Sequence, residues 1–283
     1  MSEADPTAIR TMVHGAWSRV ADRWSEHAEY IDARSAELTG RMLDAVELRL
    51  GDRVLELACG AGGTGIAAAR RLAGSGTVVL SDVAPEMVAH AAARAHALKL
   101  TNIESRTIDL EHIDEPDASF DVVLCREGMM FAADPGRAAG EAHRVLRSGG
   151  RLAAAVWGPR HANPWLGLVF DTVTEVIGMP VPPPGIPGPF ALADNTALHS
   201  HLVQAGFTDT VVTPVDVPVH APSFEEWWHR TREIAGPLAL VLAGMDADTH
   251  AALERNLHAK AEQYESPEGI DIPGVALLAI GHA

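Results

Sequence analysis

The stretch VLELACGAGGTG, residues 54–65, combines two kinds of chemistry. Gly60, Gly62 and Gly65 give the spacing G-x-G-x-x-G, which lets a tight turn bring the backbone close to a ligand. Glu56 lies inside the strand that feeds this turn. A loop that holds a pyrophosphate gains nothing from a carboxylate beside it, because both are anionic. A carboxylate there suits a cation instead, met directly or through water. Without such a partner, a buried acid is costly. Two more acids stand at informative places. Asp82 ends TVVLSD, twenty residues after Gly62, where a carboxylate can accept both hydroxyls of a ribose. Its structural alternative is a cap for the helix that opens near Pro85. Asp109, followed by Leu110, closes the third strand in TIDLEHI. An acid there can take an adenine amino group while a backbone N–H takes a ring nitrogen; the alternative is a surface turn.

These groups need elements to hold them. Residues 7–49 predict two helices: Ile9, Val13, Trp17, Val20 and Trp24 recur at helical spacing, then Leu38, Met42, Leu43, Val46 and Leu50, with Gly51 as a stop. Strands and helices then alternate. DRVLELA, TVVLS, NIESRTID, FDVVLC and RLAAAVW read as strands. TGIAAARRLA, APEMVAHAAARAHAL and PGRAAGEAHRVL read as helices, with Pro85 near one start and Asp134-Pro135 as cap and first turn of another. Such alternation predicts a parallel sheet covered on both faces. After Trp157 the pattern changes. NPWLGLVFDTVTEVIG, NTALHSHLVQAGF, SFEEWWHRTREIA and DADTHAALERNLHAKAEQY predict helices. DTVVTPVDVPVH predicts an extended edge segment, because Pro214 and Pro218 cannot donate, and GVALLAIGHA predicts a last strand. The proline-rich stretch 180–189 breaks regular structure and serves as a linker or as a wall beside a pocket.

Composition narrows the partners. The 283 residues are 47% hydrophobic, enough for a substantial core. The net charge of −16 repels nucleic acid and anionic membranes, so neither is expected as a partner. No apolar run reaches the roughly 18–20 residues of a membrane span. The opening MSEADPTAIR lacks the basic flank and apolar stretch of a secretion signal, so a cytoplasmic location is expected. Cys59 and Cys125 are too few for a disulfide framework and are expected to be reduced and buried. No metal-ligand spacing is present: His199 and His201 read as a solvated pair.

The motifs carry a resemblance. VLELACGAGGTG resembles the first motif of class I S-adenosylmethionine-dependent methyltransferases, with Ala58 where a glycine is common. DVAPEMV resembles their second-strand motif, with Ala84 in a serine position, and E-x-x-R-V-L-x-x-G-G at 141–150 is the most diagnostic piece. The likeness is nearest to the ubiquinone/menaquinone-biosynthesis type and its small-molecule relatives, and covers residues 50–157 best. It implies an α/β, doubly wound, mostly parallel seven-stranded sheet, the Rossmann-like methyltransferase fold, with N-terminal helices and a helical cap insert. It divides the chain into an N-terminal helical lid (1–50), an S-adenosylmethionine-binding core (51–157) and a cap or substrate region completed by the last two strands (158–283). It further implies that Glu56, Gly60 and Gly62 face the methionine part, that Asp82 holds the ribose with Val83 and Met87 against the adenine, and that Asp109 and Leu110 read the adenine edge. Arg126 would place its backbone near the sulfonium. The N-terminal helices, with Trp17, Trp24 and Tyr30, would cover the cofactor, although spacing alone favours an ordinary amphipathic helix packed on the sheet.

The implied reaction is direct displacement at a methyl carbon, in which the protein mainly aligns the partners and excludes water. A base is needed only if the acceptor must lose a proton. His14, His27, His161, His229 and Glu127 are candidates, and none is assigned. Phe224, Trp227 and Trp228 read as core before they read as an acceptor wall. The acceptor is expected to be a small molecule, with a homodimer left open. Two other readings stand beside this one. An NAD(P)-dependent oxidoreductase explains the glycines and Asp82 but not Glu56, and the two tyrosines, Tyr30 and Tyr264, lack a lysine at helical spacing. A non-catalytic S-adenosylmethionine-binding module would keep the loop and block the acceptor pocket.

Overall fold

The computed structural model describes residues 6–283; the start of the acidic opening, residues 1–5, lies outside them. Three helices come first: α1 (Pro6–Glu26), α2 (Ala28–Arg34) and α3 (Ala36–Ala45). The expected two become three because the axis breaks at His27 and Ser35, neither of which caps with its side chain. The i→i−4 ladder runs on through both breaks, from Ile31 N to His27 O at 3.0 Å and from Ser35 N to Ile31 O at 3.1 Å. No proline or glycine marks either break, so the 3.6-residue pattern reads straight across them.

The alternating part follows as β1 (Arg53–Leu57), α4 (Gly63–Arg71), β2 (Thr77–Asp82), α5 (Pro85–Ala97), β3 (Ile103–Thr107), β4 (Phe120–Arg126), α6 (Pro135–Val145) and β5 (Leu146–Trp157). Asp134 caps α6 as its sequence indicates, accepting from Arg137 N at 3.0 Å. Pro85 and Pro135 open their helices where a missing N–H costs nothing. Beyond Trp157 come α7 (Pro164–Ile177), α8 (Asn195–Gln204), β6 (Thr208–Asp216), β7 (Val219–Ala221), α9 (Phe224–Ile234), α10 (Pro237–Ala243), α11 (Ala247–Ala261), β8 (Glu265–Ser266), β9 (Gly269–Ile272) and β10 (Val275–His282). Helix α10 escapes the periodicity reading, although Pro237 at its first turn is a start signal.

Seven strands form one sheet in the order β3-β2-β1-β4-β5-β10-β6. The first five are parallel, and β10 runs antiparallel to both β5 and β6. This is the expected seven-stranded, mostly parallel sheet, flanked by helices. Its central strands bury both faces and therefore read as apolar runs. Pro214 lies in edge strand β6, where a missing donor is tolerated. The extended run 209–220 is not one strand. After Asp216 the chain leaves the sheet, and β7 joins β9 and β8 in a separate three-stranded sheet. Strands of two to four residues are too short to show a period of their own.

The main hydrophobic core runs from Leu38 of α3 to Ala279 of β10. Phe224, Trp227 and Trp228 are buried in it, as expected of core residues. A second cluster joins Val20 and Ala21 of α1 to Ala84 and Met87 at the start of α5, with Trp17 and Trp24 packed against it. Among the described residues no helix is long and apolar enough to cross a membrane.

Register sets the centre of the molecule. Glu56 pairs with Leu80 on one side and Leu124 on the other, so its side chain leaves from mid-sheet. Helix α4 crosses beside it. A Cβ on Gly65 would lie 2.2 Å from Leu80 Cδ2 and 2.5 Å from Glu56 Oε2, so only glycine lets the helix pack this closely. Gly65→Ala should therefore lower stability by about 1–3 kcal/mol through overpacking. Gly140→Ala, on a helix where an added methyl meets nothing within 4 Å, should be neutral or stabilising. Urea midpoints of the two variants check this; equal effects would contradict it.

Candidate functional site

The strand order reverses between β1 and β4, and a cavity of about 810 Å³ opens at their carboxyl ends. Glu56, Gly60, Asp82, Val83 and Met87 line it, together with Trp24, Asp109, Leu110 and Arg126. Gly62, the remaining residue expected to face a ligand, does not line it. Its left-handed φ of 85° turns the chain into α4, and a Cβ there would meet Ala91, Leu80 and Ile66. The middle glycine of the motif therefore serves helix packing.

Two amides of the loop are already used within the chain. Gly60 N donates to Asp82 Oδ2 at 2.9 Å, and Gly62 N donates to Cys59 O at 2.7 Å. The amino end of α4, where a phosphate would be drawn, is approached by another acid. A Cβ on Gly63 would lie 1.9 Å from Asp32 Oδ1. Asp32 belongs to α2; it accepts from Arg94, and its other oxygen lies 3.9 Å from Arg126 Nη2. The site that a dinucleotide loop offers to pyrophosphate is thus taken by a carboxylate of the chain.

Glu56 forms the floor. It is buried, and its Oε2 has no hydrogen-bond partner. Burial pushes its carboxyl up to about 8, while Arg126 and the Gly65 amide pull the other way. Asp82 is buried too. Its two oxygens accept from Gly60 N and Ala84 N, and burial raises its pKa against those bonds. It is not the cap of α5, a position held by Ala84. A carboxylate has about four lone-pair directions, so both oxygens keep capacity for hydroxyl donors.

The adenine-edge expectation needs one correction. Strand β3 ends at Thr107, so Asp109 and Leu110 lie in the turn after it and do not close the strand. Asp109 Oδ1 accepts from Glu111 N at 2.8 Å, and its Oδ2 lies 3.6 Å from Arg10 Nε and 3.8 Å from His14 Nε2. The turn and the cavity wall are here the same residue. Glu111, which carries no signal beyond one more charge in a polar turn, lines the cavity and takes Arg10 Nη2 at 3.0 Å and Ala133 N at 2.7 Å.

Helix α1 closes one side. The Trp24 ring lies 3.5 Å from where a Gly60 Cβ would be, and its Nε1 donates to Ile234 O at 3.2 Å. Trp17 stands edge-on to Trp24 and Phe131, with centroids 5.3 and 5.0 Å away. On the opposite side two residues without glycine's freedom adopt left-handed backbone, Ala58 at φ 52° and Glu127 at φ 60°. Gly128 must be glycine because a Cβ would come within 2.3 Å of Ala58 Cβ. Glu127 lines the cavity with Oε1 unpartnered, and burial raises its pKa against the pull of Arg126 and Arg34. Left-handed backbone costs of order 1–3 kcal/mol per residue and gathers at functional sites.

Of the other candidate bases, only His14 lines the cavity; burial lowers its pKa, with Asp109 opposing. His27 and His229 both face Glu233, at 2.6 and 3.7 Å, and His161 is exposed. Cys59 and Cys125 are free and buried as expected, and burial pushes their thiols up, Cys125 to about 12.

Residues 54–150 match the family described as a methyltransferase domain. The chain is 32% identical over 136 residues to 27-O-demethylrifamycin SV methyltransferase of Amycolatopsis mediterranei (strain S699), covering 46% of this chain and 47% of that one. It is 34% identical over 113 residues to aklanonic acid methyltransferase DauC of Streptomyces sp. (strain C5), covering 40% and 51%. The chain thus spans about half the length of the curated relatives it matches. Among solved structures, the YcgJ protein of Bacillus subtilis superposes with a TM-score of 0.58 at 19% identity, over 86% of this chain and 97% of that one, a likeness of fold.

The raised carboxyl of Glu56 has a stability consequence. A carboxyl near 8 in the folded chain and near 4.5 when unfolded keeps its proton only in the fold. Stability from this group is therefore full below the lower value and falls as pH rises toward 8, by at most about 5 kcal/mol. Glu56→Gln should match the wild type in melting temperature near pH 5 and exceed it at pH 8.5, in ligand-free protein. Asp82 and Glu127 titrate in both proteins and cancel in the difference. A gap independent of pH would contradict the reading.

Proposed function

We propose that the chain transfers the methyl group of S-adenosylmethionine to a small, fairly apolar acceptor. The observation that carries this is the buried carboxyl of Glu56, one oxygen unpartnered, beneath a glycine loop whose Gly60 and Gly62 amides are already occupied. A pyrophosphate would hold such a carboxyl in its protonated form, whereas an ammonium close to a sulfonium draws it into its charged form. The remaining walls fit the same molecule. Glu56 and Gly60 hold the amino-acid part, and the spare lone pairs of Asp82 take the ribose. Val83, Met87 and Leu110 face the adenine, Asp109 takes its amino group, and Trp24 covers the loop. Arg126 is held by Thr39 Oγ1 at 2.9 Å and by Asp32, which fixes the end of β4 beside Glu56. On this reading the described helices before residue 51 cover the cofactor, 51–157 hold it, and 158–283 shape the acceptor side. The placement near the ubiquinone/menaquinone type rests on the motifs alone.

When bound, S-adenosylmethionine supplies a methyl carbon already activated by its positive sulfur. The residues of the chain orient this group and keep water away: Trp17, Trp24 and Phe131 form an aromatic wall on one side, Gly128 and Ala58 a close-packed one on the other. Two relatives named as methyltransferases act, by their names, on small molecules, which supports an acceptor of that size. A purely binding role is disfavoured by a second open cavity of about 560 Å³ beside the first.

Calorimetry tests the proposal. S-adenosylmethionine should bind and NAD(H) should not. Glu56→Gln should weaken S-adenosylmethionine binding by about 10–100-fold, the worth of one charged hydrogen bond. Binding of NAD(H) alone, or unchanged affinity in the variant, would overturn it.

A further inference from the structure

The second cavity shares Trp17, Trp24, Glu127 and Phe131 with the first, so the two spaces adjoin. Its far wall is also aromatic: Trp157, at the end of β5, stands edge-on to Trp165 of α7, with centroids 5.0 Å apart. Pro189, from the proline-rich stretch, completes the rim, so that stretch walls a pocket. One cation enters this apolar space. Arg34, the last residue of α2, lays its guanidinium over Trp165 at 3.8 Å and over Trp157 at 4.8 Å.

The two ring faces account for the charge but not for the donors. A cation over an aromatic face is attracted to the ring's electron density. The five N–H bonds of a guanidinium point outward in its own plane and need acceptors there. Arg34 Nε and Nη2 are buried and have none. Tyr30 is its hydrogen-bonding neighbour, and Glu127 acts on it across space rather than through a hydrogen bond. Leaving two donors of a charged group dry costs more than leaving neutral ones, and the usual remedy is a planar carboxylate or other oxyanion that matches the fork.

We propose that this cavity takes a planar aromatic acceptor carrying an anionic oxygen group, a carboxylate or a phenolate, with the oxyanion on Arg34 and the ring among the tryptophans. The other end of the molecule then lies toward Glu127, where the two cavities meet. Charges are thereby divided: acids floor the cofactor side and a guanidinium marks the acceptor side. The chemistry performed on this molecule rests on the methyl-transfer reading, whereas its binding does not.

Binding is followed by quenching of tryptophan fluorescence in the full chain without cofactor, because Trp17, Trp24, Trp157 and Trp165 line the cavity. The probes are 2-naphthoate, a nitro-naphtholate ionised at the assay pH, methyl 2-naphthoate and 2-naphthylmethylammonium. At least one anion should bind tenfold or more tighter than the neutral ester and the cation, and the better anion identifies the oxyanion. In Arg34→Gln that preference should vanish while the ester binds as before; Arg34→Lys should keep part of it. Circular dichroism and binding of S-adenosylmethionine show that each variant is folded, and Arg34→Lys serves if Arg34→Gln is not. Equal affinity for anion, ester and cation in the wild type, or an anion preference that survives Arg34→Gln, overturns the inference. S-adenosylmethionine binding without anion selectivity sinks this inference alone; anion selectivity without S-adenosylmethionine binding leaves it standing and sinks methyl transfer.

Discussion

A carboxyl group kept dry at the middle of the sheet governs the rest of the structure. Glu56 leaves the central strand β1, between β2 and β4, and ends against α4 without a partner for one oxygen. Desolvating a carboxylate is expensive, so the free protein holds it largely protonated near neutral pH. The arrangement is costly unless something cationic arrives. The surroundings are built to keep it. Gly65 removes the side chain that would collide with it, and Arg126 approaches without a direct ion pair. The N-terminal helices join in: Asp32 and Thr39 hold Arg126 from α2 and α3. The segment before the sheet is therefore part of the electrostatics of the floor.

The same helices link the two cavities. Helix α1 packs a small apolar cluster on the start of α5 and presents Trp17 and Trp24 to both spaces. Trp24 is anchored by one hydrogen bond to Ile234 O at the end of α9. Polar contacts hold the rest of the segment, Arg10 to Glu111 at 3.0 Å, Asp22 to His90 at 2.8 Å and His27 to Glu233 at 2.6 Å. On the opposite side the backbone is stiffened by left-handed Ala58 and Glu127 packed against Gly128. Both walls of the site are thus fixed, one by polar contacts between distant elements and the other by close backbone packing.

The parallel sheet is legible in the sequence because its signals are local. Apolar runs mark buried strands, and Pro85 and Asp134-Pro135 mark helix starts. Glu56 and Asp82 are legible for the same reason, since each sits at a fixed offset from the glycine turn. The motif is less informative about individual glycines. Gly62 turns away from the cavity and Gly65 makes room for Glu56, a division that depends on where α5 and Leu80 pack. The breaks in the N-terminal helices leave no mark in the residue pattern. Arg34, Trp157 and Trp165 come from α2, β5 and α7, so nothing in their spacing foretells one cavity. Glu111 becomes visible only when Arg10 and Ala133 converge on it from distant parts of the chain.

The central claim is that the Glu56 carboxyl waits for a cation. Selective carbon-13 labelling of glutamate side chains lets nuclear magnetic resonance follow its titration, with Glu56→Gln assigning the signal. The account predicts a midpoint near 8 in the free protein and a fall of about two units or more when S-adenosylmethionine is bound. An ordinary midpoint near 4.5 in the free protein, or one that does not move on binding, would contradict it.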